Sequence, residues 1–165
     1  METQLILLRG NSGSGKTTIA QLLRAKLPAE STLLLSQDTL RREMLEVKDY
    51  VDNPTSALLW DLLCFGDGRF STIIVEGIFK KEVYEKILAQ IAQHFAGRYH
   101  AYYFQLTLAE TFQRHQTRSQ KSEFGLEELT RWYQAEDTLD FLAETLLLPQ
   151  QTPQAIVAQI LADLN

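Results

Sequence analysis

A parallel α/β sheet covered by helices on both faces is predicted for this 165-residue chain by three observations. Short apolar runs of strand length recur, and segments of helical periodicity separate them. The first run, Gln4 to Arg9, leads directly into Gly10-Asn11-Ser12-Gly13-Ser14-Gly15-Lys16-Thr17, which fits G-x-x-x-x-G-K-[ST]. Thr17 to Leu27 then carries Ile19, Leu22, Leu23 and Leu27 at helical spacing. Strand, glycine loop and helix in that order are the setting of a phosphate-binding P-loop. The expectation is a P-loop NTPase three-layer sandwich with five parallel strands, one domain over residues 1–165.

Each element follows in order. Strand 1 covers about 4–9 and its helix about 15–27, stopped near Pro28. Strand 2 is Thr32 to Ser36, with a helix about 39–48 carrying Leu40, Met44 and Val47. Asn53-Pro54 is a good N-cap and first-turn pair for a helix about 54–65. Strand 3 is Thr72 to Glu76, and its helix, about 80–96, repeats Val83, Ile87, Ile91 and Phe95. Strand 4 spans about 99–106 and leads into a helix near 108–118. A further helix is expected at about 125–142, then a strand Thr145 to Leu148 and a closing helix 153–164.

Composition narrows the function classes. A hydrophobic content of 45% and a charged content of 22% are those of a soluble globular protein. The net charge of -5 argues against broad binding to nucleic acid or anionic membrane. No apolar run is long enough for a membrane span. The first strand begins too early for a signal peptide, and the lone Cys64 permits no intrachain disulfide or cysteine cluster. The cytoplasm is the expected compartment.

The loop spelling has a chemical reason. Gly10, Gly13 and Gly15 permit backbone angles that let successive N–H groups turn toward a phosphate. The helix N-terminus adds roughly half a positive charge there. Lys16 is placed to reach the β- and γ-phosphates and Thr17 to bind Mg²⁺, so ATP with Mg²⁺ is expected, seated on residues 10–17 and Thr18. A signalling GTPase would carry N-K-x-D, and a mechanical ATPase partner-reading motifs such as the ABC signature; neither is present.

A small-molecule kinase needs an acceptor-binding carboxylate and an arginine-bearing lid, and the chain has candidates for both. Asp38 follows strand 2, where it is placed to orient an acceptor hydroxyl and take its proton; Arg41, one turn on, is placed to hold an anionic group. The same two residues also read as an N-cap and an exposed arginine. Glu76 ends strand 3 at the Walker B position, serving Mg²⁺, the acceptor or the proton. Lys80 and Lys81 read as solvated helix-start residues. Arg114 and Arg118 share a helix face in a polar segment, where they would close over the triphosphate or complement a helix C-terminus.

The order GxxxxGKT, DxxR after strand 2, an acidic strand-3 end and RxxxR resembles a group of P-loop kinases. The group includes the kinase domain of bacteriophage polynucleotide kinase, the zeta toxins and chloramphenicol phosphotransferase. Phe124-Gly125 and Trp132-Tyr133 with Asp137 are similar to small bacterial proteins labelled kinase or uridine kinase. The resemblance implies a nucleoside-monophosphate-kinase-like fold, Asp38 as general base, Arg41 as acceptor clamp, and Arg114 and Arg118 as lid residues. The chain departs at Gln37, where several relatives carry a charged residue, and in having Glu76 rather than Asp.

Residues 38–70 form the expected acceptor region and 114–125 the lid. On helix 54–65, Trp60 and Cys64 form a second apolar face, so Trp60 either stacks on the acceptor or packs. Trp132 and Tyr133 share an inward stripe with Leu126 and Leu129. Gln150, Gln151 and Thr152 follow the last strand, where adenine commonly rests in this fold. The expected activity is phosphoryl transfer from ATP to a hydroxyl of a small acceptor by a monomer or homodimer. A nucleoside, nucleotide or polynucleotide 5′-hydroxyl acceptor is the alternative, and a nucleotide-dependent switch or toxin component with little turnover is the reading of another class.

Overall fold

Along the first strand apolar side chains alternate between two cores. Leu5 and Leu7 enter one and Ile6 and Leu8 the other, all fully buried. A strand buried on both faces must lie inside a covered sheet, and the computed structural model, which describes residues 2–106, 110 and 137–164, has that architecture. Five parallel strands, β1 (Gln4–Gly10), β2 (Thr32–Ser36), β3 (Thr72–Gly77), β4 (Tyr99–Phe104) and β5 (Thr145–Leu147), stand in the order β2-β3-β1-β4-β5. Helices α2 (Thr55–Gly66) and α3 (Lys81–His94) cover one face through Leu59, Leu63, Ile87, Leu88 and Ile91. Helices α1 (Lys16–Lys26) and α4 (Pro153–Asp163) cover the other through Ile19, Leu23, Ile156 and Ile160.

The strand order positions the site. From β1 the chain crosses one face through α1 to β2; from the adjacent β3 it crosses the opposite face through α3 to β4. The two connections part at the carboxyl ends of β1 and β3, where open α/β sheets form their ligand crevice. The residues after β1, β2 and β3 therefore meet at one rim.

Asn53 caps α2 as its sequence position suggests: its side-chain oxygen accepts from Thr55 N at 3.0 Å. Two expectations for helices are corrected. The segment after β2 is a wide π-helical turn, Thr39–Met44, rather than a helix to 48. Leu45 N donates to Leu40 O and Val47 N to Arg41 O, and Glu46 has φ 52°, which ends the helix and leaves Met44 exposed. The expected helix 125–142 does not reach 142. Residues 137–139 are irregular and Asp140–Leu142 form a 3-10 turn. Their backbone groups are taken elsewhere: Asp137 O accepts from Arg9, and Leu139 N donates to Glu144. The expected helix 108–118 and lid 114–125, with Arg114 and Arg118, lie outside the described residues. So does the stripe of Leu126, Leu129, Trp132 and Tyr133. No helix among the described residues is long and apolar enough to cross a membrane.

At the opposite end of the sheet Asp67, which caps α2, is bound by Arg98 Nη1 at 2.9 Å and approached by His94 Nε2 at 2.8 Å. The hydrogen bond from Arg98 holds its carboxyl below the usual 3.8, against the opposing effect of burial. A depressed carboxylate stabilises the fold above its unfolded pKa and loses that contribution as pH falls through its folded pKa. Asp67→Asn is therefore expected to lower the denaturation midpoint at about pH 5 and to converge on wild type as the pH falls through the depressed folded pKa of Asp67. A gap in urea midpoint that stays constant across that window would show that the pair carries no stability.

Candidate active site

β1 ends where the backbone must pass close to β4. A Cβ on Gly10 would stand 2.9 Å from Phe104 Cβ and 3.2 Å from Ser14 Oγ, at φ 148°, so no larger residue enters the loop this way. Gly13 and Gly15 also have positive φ, and α1 begins directly after Gly15. Lys16 folds back over the loop: its Nζ donates to Asn11 O at 2.7 Å and lies 3.2 Å from Ser14 Oγ. With only 6% of its surface exposed, the ammonium is held before any ligand arrives. Thr17 and Thr18 face solvent at the first turn of α1. No acidic side chain stands in that turn to oppose an anion.

Glu76, the penultimate residue of β3, has Leu8 of β1 on one side and Ser36 of β2 on the other. It is buried, and Thr17 Oγ1 donates to its Oε2 at 3.3 Å. A hydroxyl and a carboxylate meeting beside a phosphate loop are hard oxygen donors, the type that Mg²⁺ prefers. Asp38 follows β2 at the same rim. Its carboxylate is half exposed and accepts from Arg41 Nη2 at 3.3 Å. Arg41 also donates to Val47 O at 3.1 Å, which the wide turn brings into reach.

Several residues that sequence reasoning passed over complete the rim. Asp49 lies 4.0 Å from Arg41 Nε and 3.9 Å from Lys80 Nζ, and Tyr84 donates its hydroxyl to Asp49 at 2.6 Å. Burial, with Asp49 beside it, pushes the Tyr84 phenol up to about 12, so it stays a donor at neutral pH. Lys80 is not the solvated residue its sequence position suggested: its side chain is 18% exposed, against 91% for Lys86 within α3. Lys81 is exposed as expected. Asp49 stands 35 residues before Tyr84, and loop contacts of that kind have no fixed spacing that a sequence would show.

Gln37 explains its departure from a charged residue. Its buried carbonyl oxygen accepts from both Ile78 N, at 3.0 Å, and Phe79 N, at 3.3 Å. This bridge ties the end of β2 to the turn after β3. Gly77 is needed there because a Cβ would stand 2.6 Å from Gln37 Cβ and 2.7 Å from Phe79 Cε2. Phe79 itself has φ 43°, and its carbonyl accepts from Arg9 Nη2 at 2.9 Å.

Arg9, wholly buried one residue before the phosphate loop, was read from sequence only as a strand end. Its Nη1 donates to Glu144 at 2.6 Å, and its Nη2 to the Asp137 carbonyl and carboxylate at 3.0 and 3.3 Å. Asp137 in turn accepts from Lys81 N at the start of α3. Burial outweighs the nearby guanidinium, so the Asp137 carboxyl is raised above its usual value.

Two expected contributors stand apart. Trp60 packs edge-on against His94, with ring centroids 5.2 Å apart, and lines a groove between α2 and α3 with Val83, Ile87 and Gln90. The structure does not bring it to Asp38 or Arg41. Gln151 accepts from Leu148 N and donates to Gln159, and Thr152 caps α4 through Ala155 N, so both close the turn after β5. Gln150 is exposed.

Solved structures share the whole architecture. A gluconokinase from Sinorhizobium meliloti 1021 superposes with a TM-score of 0.70 at 19% identity, over 98% of this chain and 91% of that one. The APS kinase of Mycobacterium tuberculosis, in complex with AMPPNP and APS, gives 0.69 at 18% identity over 99% and 97%. Shikimate kinase from Aquifex aeolicus gives 0.56 at 16% identity over 98% and 96%. At these identities the likeness establishes a shared fold, that of small P-loop kinases. No curated protein matches the sequence. The family described as AAA domain (AAA_33) matches residues 5–136, most of the length, and the chain belongs to that family.

Proposed function

We propose that this protein is a cytoplasmic ATP-dependent kinase, a monomer or homodimer, that phosphorylates a hydroxyl of a small-molecule acceptor. The observation that carries the reading is the half-exposed Asp38 carboxylate, paired with Arg41 at the same rim as the phosphate loop and Glu76. A nucleotide switch needs the loop but has no use for an accessible carboxylate beside it. The gluconokinase, APS kinase and shikimate kinase that share the fold are each named for a small acceptor.

Bound ATP with Mg²⁺ supplies the γ-phosphoryl group and neutralises charge on it. Lys16 and the loop amides hold the phosphates, and Thr17 and Glu76 are the oxygen donors for the metal. Asp38 orients the acceptor hydroxyl and takes its proton as the oxygen bonds to the γ-phosphorus. The bond from that phosphorus to the β,γ-bridging oxygen breaks, and ADP leaves. Arg114 and Arg118 are proposed to close over the transferring group.

Asp38→Ala is expected to abolish phosphoryl transfer while ATP affinity stays within a few fold, read by ADP release and by AMPPNP titration. Equal loss of nucleotide binding would remove Asp38 from the role of base. Absence of transfer by the wild type to any alcohol would favour the switch.

A further inference from the structure

Two cations from different strands converge on one carboxylate at the acceptor rim, and neither is saturated by it. Arg41 comes from the turn after β2 and Lys80 from the turn after β3, and both reach Asp49 at 3.9–4.0 Å, beyond hydrogen-bond distance. The short bond to Asp49 is donated instead by the neutral Tyr84 hydroxyl. Arg41 Nε is buried with no acceptor among the described residues. A buried donor of this kind is normally paired, so Nε is a donor that an acceptor atom at this rim can engage. Arg41 and Lys80 are balanced by Asp49 and Asp38, and Asp38 accepts from Arg41 Nη2 at 3.3 Å with half of its side chain exposed, which leaves Lys80 with no hydrogen bond to either carboxylate.

The position of Lys80 is built in. Gln37 fixes the amides of Ile78 and Phe79, Arg9 fixes the Phe79 carbonyl, and Gly77 admits no side chain between them. A long, flexible lysine on a solvated turn would carry little information. One issuing from a turn pinned on three sides presents its charge at a set place, 3.9 Å from Asp49.

Resting on the kinase reading above, we propose that Lys80 and Arg41 jointly seat an oxyanion of the acceptor. The substrate is then an alcohol bearing a carboxylate, sulfate or phosphate, and Lys80 is a specificity-determining residue. Asp49, held by Tyr84, is the positioning residue that keeps the two cations side by side without occupying them.

The test uses matched acceptors: gluconate with glucose, shikimate with its methyl ester, and adenosine 5′-phosphosulfate with adenosine. For an acceptor class that is turned over, the charged member is expected to exceed its neutral counterpart about tenfold or more in kcat/KM. Lys80→Gln should remove that advantage through KM for the charged member, and Lys80→Arg should restore most of it. A wild-type preference for neutral members, or a Lys80→Gln loss equal for both, overturns the proposal. A second readout is independent of turnover. With AMPPNP and Mg²⁺ filling the phosphate loop, inorganic sulfate should shift the Arg41 Nε–H resonance saturably, and Lys80→Gln should weaken this binding about tenfold. No shift, or one indifferent to Lys80, overturns the seat. No transfer to any acceptor with the sulfate response intact overturns the kinase reading alone.

Discussion

Arg9→Met is expected to lower the unfolding free energy by about 3–5 kcal/mol, a large part of the roughly 5–15 kcal/mol available to a domain. The guanidinium is fully buried and serves four acceptors on three segments: Glu144, the Asp137 carbonyl and carboxylate, and Phe79 O. Methionine fills similar volume but leaves Glu144, 2% exposed, and Asp137 without their cation. Removing one partner of such a cluster costs more than the cluster itself contributes, because the remaining charges stay desolvated. The pH dependence follows with a definite sign. Unpaired buried carboxyls have raised folded pKa values, so the variant regains stability as the pH falls toward them. Arg9→Lys keeps the charge but loses the planar fork, and an intermediate loss is expected. Urea denaturation of the three proteins at about pH 8 and pH 5 checks the whole pattern. A loss below about 1 kcal/mol for Arg9→Met would mean that Arg9 is not the tie its contacts suggest.

Lys16→Met is expected to reduce phosphoryl transfer by about 10²–10³-fold, the cost of deleting one preorganised charge from a developing transition state. The argument rests on the position of the ammonium. It is already folded over the loop on Asn11 O and Ser14 Oγ and largely hidden from water. Its charge therefore acts without being reoriented during the reaction. Nucleotide affinity should fall as well, because the same charge faces the ground-state phosphates. That signature separates Lys16 from Asp38, whose loss spares binding. AMPPNP titration alongside ADP release distinguishes them, and unaltered binding by Lys16→Met would disprove a phosphate seat on residues 10–17.

The frame of this reading was legible because it is written locally. The apolar runs around Ile6 and Ile74 have no polar alternation, so both their faces had to be covered, and the P-loop pattern carries its own strand and helix. Asn53 announced the start of α2 through a capping preference that acts over two residues. What stayed hidden depends on contacts with no fixed spacing. Arg9 meets its acid partners 128 and 135 residues later, and nothing in the first strand anticipates them. Lys80 looked solvated because it stands at a helix start; Asp49, delivered by an irregular loop, changes that. The helix expected to 48 failed on one backbone angle at Glu46, which helical periodicity does not register.

The Gln37 bridge has a consequence for how this sequence can vary. One side-chain oxygen joins the strand bearing Asp38 to the turn bearing Lys80, and it fits only against a bare Gly77 and the inverted backbone of Phe79. Positions 37, 77 and 79 therefore form one packing unit. On the proposed reading, an exchange at any of them would shift the strand end bearing Asp38 relative to the turn bearing Lys80. If Asp38 and Lys80 hold the acceptor as proposed, its choice is adjustable by residues that never touch it.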